Sequence, residues 1–340
     1  VAALPGTHAP AATGAVKPTA VRRPHGRVPD FFVVGHPKCG TTALYRMLRA
    51  HPQIYMPDLK EPWFLAPELR SRFRGQRSGA RPETLEGYLS LFAAAGPRQR
   101  TGEASSSYLM SRTAAGRIAE LQPSARIVAI LREPASFLRS LHLQSVQVHV
   151  ETERDLRKAL ALEPLRRQGK RIPRRSPRPQ ALMYSEHVRY VEQLRRYHEQ
   201  FSPEQVLVLI YDDFRRENEA TVRGVLRFLE VDDTLPVAVT EANPTVRVRS
   251  RRLHETVQAV SVGQGPVSET VKAGVKALTS RRLRHAALRV TRRRMVFGEP
   301  RPPDEVLMLE LRRRFRPEVV ALSEYLGRDL VSLWGYDGVA

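Results

Sequence analysis

Residues 31–42 read FFVVGHPKCGTT: a run of β-formers meets a glycine and then a turn carrying an amine, a thiol and two hydroxyls. A turn that opens a helix leaves several backbone N–H groups without partners. With the helix dipole they form a site for an anion. Gly40 lets the chain approach that anion closely, Thr41 and Thr42 add hydroxyl donors, and Lys38 brings an ammonium group. The lysine stands before the second glycine, whereas the NTPase pattern GxxxxGK[ST] has it after, so this stretch cannot be fitted to that pattern. The alternative for the same residues is an ordinary strand–helix turn with Lys38 in solvent.

The elements that must hold the turn follow from periodicity. After it, Leu44, Met47 and Leu48 fall at i, i+3 and i+4, a helical stripe that His51-Pro52 stops. Residues 116–121 read as a short helix, 126–131 (RIVAIL) as a buried strand, and 134–147 as a helix with proline in its first turn. A helix over 190–201, a strand over 206–211 (VLVLIY) and a helix over 219–229 repeat the alternation. Strands separated by helices predict a parallel sheet covered on both faces, with ligands at the carboxyl ends of its strands. The loops after Val34, Leu131 and Tyr211 should therefore border one cleft. Residues 1–29, rich in Ala, Pro, Gly and Thr, read as a disordered tail, and 30–340 as a single domain. Two basic insertions interrupt it near 151–180 and 250–300, the second containing SRRLRHAALRVTRRR; both read as loops or surface helices, and their charge runs as solvated faces.

The formal net charge is +21, much of it from arginine, which implies an anionic partner and favours bidentate oxyanion contacts. Cys39 is the only cysteine, which excludes an intrachain disulfide and a cysteine zinc site and agrees with a reducing compartment. The apolar runs are too short to span a bilayer, and the first residues lack the pattern of a secretory signal, although the chain begins at Val1 without methionine. The expectation is a cytoplasmic protein, with peripheral contact to an anionic membrane allowed by its charge. The Ala- and Arg-rich composition points to a bacterium with a GC-rich genome.

PKCGTTALYRML, residues 37–48, resembles the 5′-phosphosulfate loop of sulfotransferases that use 3′-phosphoadenosine 5′-phosphosulfate (PAPS). A second motif agrees: residues 127–142, IVAILREPASFLRSLH, are similar to the family's 3′-phosphate motif, with Arg132 just past a strand and Ser140 eight residues on. A guanidinium and a hydroxyl suit a phosphate dianion through charge-assisted hydrogen bonds. The rival for Arg132 is a surface ion pair with Glu133. Residues 211–231 and 315–334, the latter ending in GRDLVSLW, resemble later family segments, and 243–252 (NPTVRVRSRR) sits where relatives close a basic stretch over the nucleotide. The resemblance implies an α/β three-layer sandwich with a central parallel sheet, P-loop NTPase-like in fold. It implies PAPS as co-substrate, 3′-phosphoadenosine 5′-phosphate (PAP) as product, and no metal requirement. Lys38, Cys39, Gly40, Thr41, Thr42, Arg132, Ser140, Arg249 and Arg251 are then the donor-binding candidates, with Lys38 also catalytic at the leaving phosphate oxygen.

For the base, relatives that act on glycans use a glutamate after the first helix in a Glu-x-x-Phe context. DLKEPWFL at 58–65 offers Glu61, beside Trp63. Burial against Trp63 and Phe64 would raise its pKa, and Lys60 or Lys38 would lower it. Competing bases are His36, Glu103 and His142. TGEASSSYL resembles a further segment, Glu-Lys-Ser/Thr-Pro-x-Tyr, with Ala104 and Ser106 in place of its lysine and proline. Glu103, Ser105 and Tyr108 are thereby candidates to line the acceptor pocket, and 151–180 to form its lid. The implied acceptor is a hydroxyl on a sugar, glycolipid or glycosylated natural product. A nucleotide kinase on the same fold is disfavoured by GHPKCGTT. A basic nucleic-acid-binding protein is disfavoured by basic runs without interleaved aromatics, so no specific nucleic-acid partner is expected. Oligomeric state is not written in the sequence.

Overall fold

The computed structural model describes residues 27–70, 81–173, 176, 179–237, 247–248, 297–298 and 302–339. Five parallel strands form one sheet: β1 Phe31–Gly35, β2 Ile54–Tyr55, β3 Arg100–Ala104, β4 Arg126–Leu131 and β5 Val206–Ile210, in the order β2-β3-β1-β4-β5. β1 is fully buried, as its unbroken apolar run demands of a central parallel strand. It pairs with β3 through Phe31↔Gly102 and with β4 through Val33↔Val128. From β1 the chain builds β2 and β3 on one side, then β4 and β5 on the other. The switch point therefore lies at the carboxyl end of β1, where open α/β sheets place their ligand.

Helices cover both faces of this α/β sandwich, among them Thr41–Ala50, Pro134–Gln147, Tyr190–His198, Asn218–Phe228 and Glu305–Leu326. The strands over 31–34 and 126–131 and the helices after them stand where the periodicity puts them. The β5 run stops at Ile210, because Tyr211 already begins a short helix, Tyr211–Arg216. β3, sequence RTGEA, lacks the apolar run of a central strand and is not legible from hydrophobicity, yet from Thr101 to Ala104 it is buried. Glycine is required at its middle: a Cβ on Gly102 would stand 2.1 Å from the Phe31 ring.

Two expectations need correction. Arg27 to Asp30, assigned mostly to the tail, are tied to the sheet: Arg27 donates to Gly96 O at 2.8 Å, and Asp30 Oδ2 accepts from Thr101 N at 2.7 Å. The first part of the 151–180 insertion is not a surface layer. Leu156, Ala159 and Leu160 are in the core, and Arg166 makes a 2.8 Å ion pair with Glu151, with side chains 1% and 0% exposed. Arg167, Lys170 and Arg171 do face solvent. The last long helix starts at Glu305, capped by Asp304 on the Leu307 N–H, and runs through Pro317 to an αL cap at Gly327. Of the tail, residues 1–26 lie outside the described residues, as does nearly all of the 250–300 insertion with its basic run at 280–294. No helix among the described residues is long and apolar enough to cross a membrane.

Candidate active site

The turn after β1 is fixed by close packing. Gly35 has φ 141°, and a Cβ there would lie 2.7 Å from Ile130 O of β4. Gly40 has φ 89° and opens the helix Thr41–Ala50, and a Cβ there would press on Phe214 and Tyr211 at 3.1 and 3.2 Å. Lys38, without glycine's freedom, is also left-handed at φ 72°. The first-turn N–H groups of Thr41 and Thr42 have no preceding helical carbonyl to pair with. Cys39 is fully buried, and its thiol is pushed up to about 12 by burial, so it packs as an apolar side chain.

His36 is turned into the core. It is fully buried against Phe137, Tyr190 and His187, with ring centroids 5.2, 5.8 and 5.4 Å away. The Gln193 amide donates to the carbonyls of Glu186 and His187, which orients its oxygen to accept from His36 Nε2 at 2.7 Å. Burial, then the neighbouring His187, lowers His36 to about 3. It is a neutral tie between the turn and the helices behind it, and as a base it is corrected. His142 is likewise buried, its Nε2 on Glu153 O at 2.9 Å.

The loops after β1, β4 and β5 do meet. Arg132 donates from Nη1 to Lys38 O at 2.9 Å and from Nε to Ser136 Oγ at 3.2 Å, and its guanidinium lies 4.7 Å from the Tyr211 ring centroid. Tyr190 holds the Arg132 carbonyl at 2.8 Å. Glu133 is not its partner. It caps the helix Pro134–Gln147 through the N–H groups of Ala135 and Ser136 and accepts from Tyr336 Oη at 2.6 Å. Lys38 and Arg139 are both held below their ordinary pKa by burial first and by the charge of Arg132 second. Three cations that repel one another in a half-buried site are stabilised by an incoming polyanion. Ser140 is buried on the same helix, next to Arg139. Arg139 and Tyr211 were missed from sequence. Arg139 could have been found as the residue before Ser140; nothing marks Tyr211 except its place at a strand end. Arg249 and Arg251 lie outside the described residues.

A second cluster surrounds Glu61. Glu61 (φ 61°) and Trp63 (φ 54°) both adopt left-handed backbone, and Glu61 N–H donates to Ala104 O at 3.0 Å, which pins the segment to the end of β3. The Glu61 carboxylate accepts four hydrogen bonds: Lys60 Nζ (2.6 Å) and Ser106 Oγ (2.7 Å) on Oε1, Trp63 Nε1 (2.7 Å) and Ser106 N (3.1 Å) on Oε2. Burial pushes its pKa up, but the Lys60 charge and the bonds from Lys60, Ser106 and Trp63 outweigh burial, so it lies below the ordinary range. Ser106 stands where the related pattern has proline, and it supplies an N–H that proline lacks.

Glu103, Ser105 and Tyr108 lie beneath this segment, buried, and do not line an open pocket. Ser105 Oγ accepts from Trp63 N at 3.4 Å, and Tyr108 Oη accepts from Leu65 N at 3.0 Å. Glu103 Oε2 accepts from Tyr88 and from Tyr108, while Oε1 has no hydrogen-bond partner among the described residues. Burial pushes Glu103 up to about 7, against the hydrogen bonds it accepts. No cluster of metal-ligating side chains occurs among the described residues.

Fold and site together define a P-loop-like α/β protein with a cluster of cationic side chains at the switch point. The chain belongs to the sulfotransferase family: the model of the sulfotransferase domain matches residues 28–250. Over 34% of the chain it is 31% identical to human carbohydrate sulfotransferase 15, of which it covers 27%. Over 32% it is 33% identical to human bifunctional heparan sulfate N-deacetylase/N-sulfotransferase 3, of which it covers 12%. It thus spans about a quarter or less of the length of these relatives. A sulfotransferase from Alicyclobacillus acidocaldarius has a similar structure: TM-score 0.62, 26% identity, covering 90% of this chain and 98% of that one.

Proposed function

We propose that this chain transfers a sulfuryl group from PAPS to a hydroxyl of a sugar-bearing acceptor. The observation that carries this reading is the 2.9 Å hydrogen bond from Arg132 to the Lys38 carbonyl, which sets the two expected anion grips side by side. The turn residues Lys38 to Thr42 would hold the 5′-phosphosulfate. Arg132 and Ser140, with Arg139 near, would hold the 3′-phosphate, and Arg249 and Arg251 remain candidates to cover the nucleotide. The residues present fit such a polyanion, since Lys38 and Arg139 are held below their ordinary pKa by burial and by the charge of Arg132 until one binds.

Glu61 is the proposed base. Ionised at neutral pH, it can take a proton, but both its oxygens are already occupied. The acceptor hydroxyl must displace one donor, and Lys60 on Oε1 is the exchangeable one, a flexible side chain 18% exposed. As the acceptor oxygen bonds to sulfur and the bond from sulfur to the phosphate oxygen breaks, the hydroxyl proton passes to Glu61. Lys38 meets the charge left on the phosphate oxygen. Trp63, which donates from Nε1 to Glu61, would border the acceptor. The likeness of parts of the chain to carbohydrate and heparan sulfate sulfotransferases supports a glycan acceptor. The charge of +21 supports peripheral contact with an anionic membrane. Calorimetry with PAP and with ATP tests the class. PAP binding tightly and ATP weakly supports it, and the reverse sinks it. A PAPS-dependent screen of hydroxylated acceptors then tests the acceptor.

A further inference from the structure

We propose that Arg81 is a specificity-determining residue: it selects an acceptor that carries an anionic group, a carboxylate or a sulfate, close to the hydroxyl that Glu61 activates. This inference rests on the sulfotransferase reading and names what that reading leaves open. Arg81 lies twenty residues from Glu61 in sequence (81 − 61), and no motif marks it. The fold returns it to the site. Its Nε–H donates to the Glu61 carbonyl at 3.1 Å, and its guanidinium stacks on the Trp63 ring with its carbon 4.0 Å from the centroid. One edge and one face of the group are thereby committed, and its orientation is fixed. Its two terminal nitrogens make no hydrogen bond and no ion pair to a described residue.

The neighbours explain why an anion is missing from this list. The Glu61 carboxylate is taken by Lys60, Ser106 and Trp63 and does not pair with Arg81. Arg70 turns its Nε and Nη2 to the carbonyls of Trp63 and Pro82, which adds a second positive charge beside the first. Burial first, and the repulsion of Arg70 after it, lower the pKa of Arg81 against the opposing pull of Glu61. A half-buried, oriented guanidinium with an open fork suits bidentate recognition of a planar carboxylate or a sulfate face. Arg81 is tied to the backbone of Glu61 itself, so an anionic group held at its fork lies close to a hydroxyl that reaches the Glu61 carboxylate.

The test uses the full chain loaded with PAP and titrates octasaccharides of unsulfated chondroitin and of heparosan, their carboxyl-reduced forms, and carboxyl-reduced chondroitin sulfate. The wild type should bind at least one anionic octasaccharide about 10-fold or more tightly than its neutral counterpart. Arg81→Gln should erase that preference with PAP affinity intact, and Arg81→Lys should keep part of it. In turnover with an accepted glycan, Arg81→Gln should act on KM more than on kcat. The carboxyl-reduced sulfated glycan shows whether carboxylate or sulfate is read. Equal affinity for anionic and neutral forms, a preference that survives Arg81→Gln, or PAP binding without binding of any anionic glycan overturns the proposal. If Arg81→Gln fails to fold, the wild-type comparison and Arg81→Lys still decide. Failure to bind PAP refutes instead the sulfotransferase reading beneath it.

Discussion

Arg132 reaches from the end of β4 to the turn after β1 and donates from Nη1 to the carbonyl oxygen of Lys38 at 2.9 Å. One side chain thus couples two loops that are 94 residues apart in the chain. It holds Lys38 in a left-handed conformation that an unbranched side chain rarely adopts. The geometry predicts that Arg132→Lys weakens PAP binding about 10- to 100-fold, since lysine keeps the charge but loses the fork that serves Lys38 O and Ser136 together. Calorimetry checks this; affinity within twofold of wild type would remove Arg132 from the donor site.

Glu61→Gln keeps the shape of the Glu61 side chain and removes its ability to take a proton. The expected result is a fall in kcat of about 100- to 10,000-fold with PAP affinity unchanged. The pKa of Glu61 lies below its ordinary 4.5, so the wild type should keep its base ionised down to acid pH and lose activity only below that value. A pH–rate profile of the wild type checks the position of the limb. Turnover of the variant near the wild-type rate would transfer the role to another group.

Glu103 makes a prediction about stability. Its folded pKa of about 7 lies above the ordinary 4.5, so the native state keeps a proton that the unfolded chain releases between those values. The stabilisation is full below pH 4.5, declines as pH rises, and is gone above about 7, a loss of about 3 kcal/mol. Glu103→Gln, permanently neutral, should lack this slope. Urea melts of both proteins between pH 4.5 and 8 measure the difference, and parallel curves would mean that Glu103 titrates normally.

The ion pair of Arg166 and Glu151 separates a lid from a core element. Arg166→Ala leaves Glu151 buried without its counter-charge, although Tyr184 still donates to it at 3.2 Å. Removal of one partner of such a pair costs about 3–5 kcal/mol. Thermal or urea unfolding should show a loss of that order. A stability equal to wild type would restore a lid role for this stretch.

The strands β1 and β4, the helices that follow them, and the glycine turn after β1 were legible because apolar periodicity and the order of Lys38, Gly40 and Thr41 are local properties of the chain. Arg132 was legible for the same reason, at the end of an apolar run. β3 was hidden because a buried strand need not be apolar throughout: burial raises Glu103 to about 7, and Gly102 makes room for Phe31. His36 looked chemical from its place in the turn, yet its ring is directed by Gln193, 157 residues on, into the space behind the sheet.

The sequence by itself determined the sheet's central strands, the glycine turn after β1 and the cationic group that closes on it, since these depend on residue type and short spacing. Only the tertiary structure decided which carboxylate is held below its ordinary pKa, which is held above it, and which cation is left with an open fork. Glu61 and Glu103 have the same side chain and flank the same segment. One meets Lys60 and the donors of Ser106 and Trp63, and the other meets the uncharged hydroxyls of Ser105, Tyr88 and Tyr108 in the buried interior. Charge and solvation at a point are set by everything packed around it, and most of that arrives from distant parts of the chain.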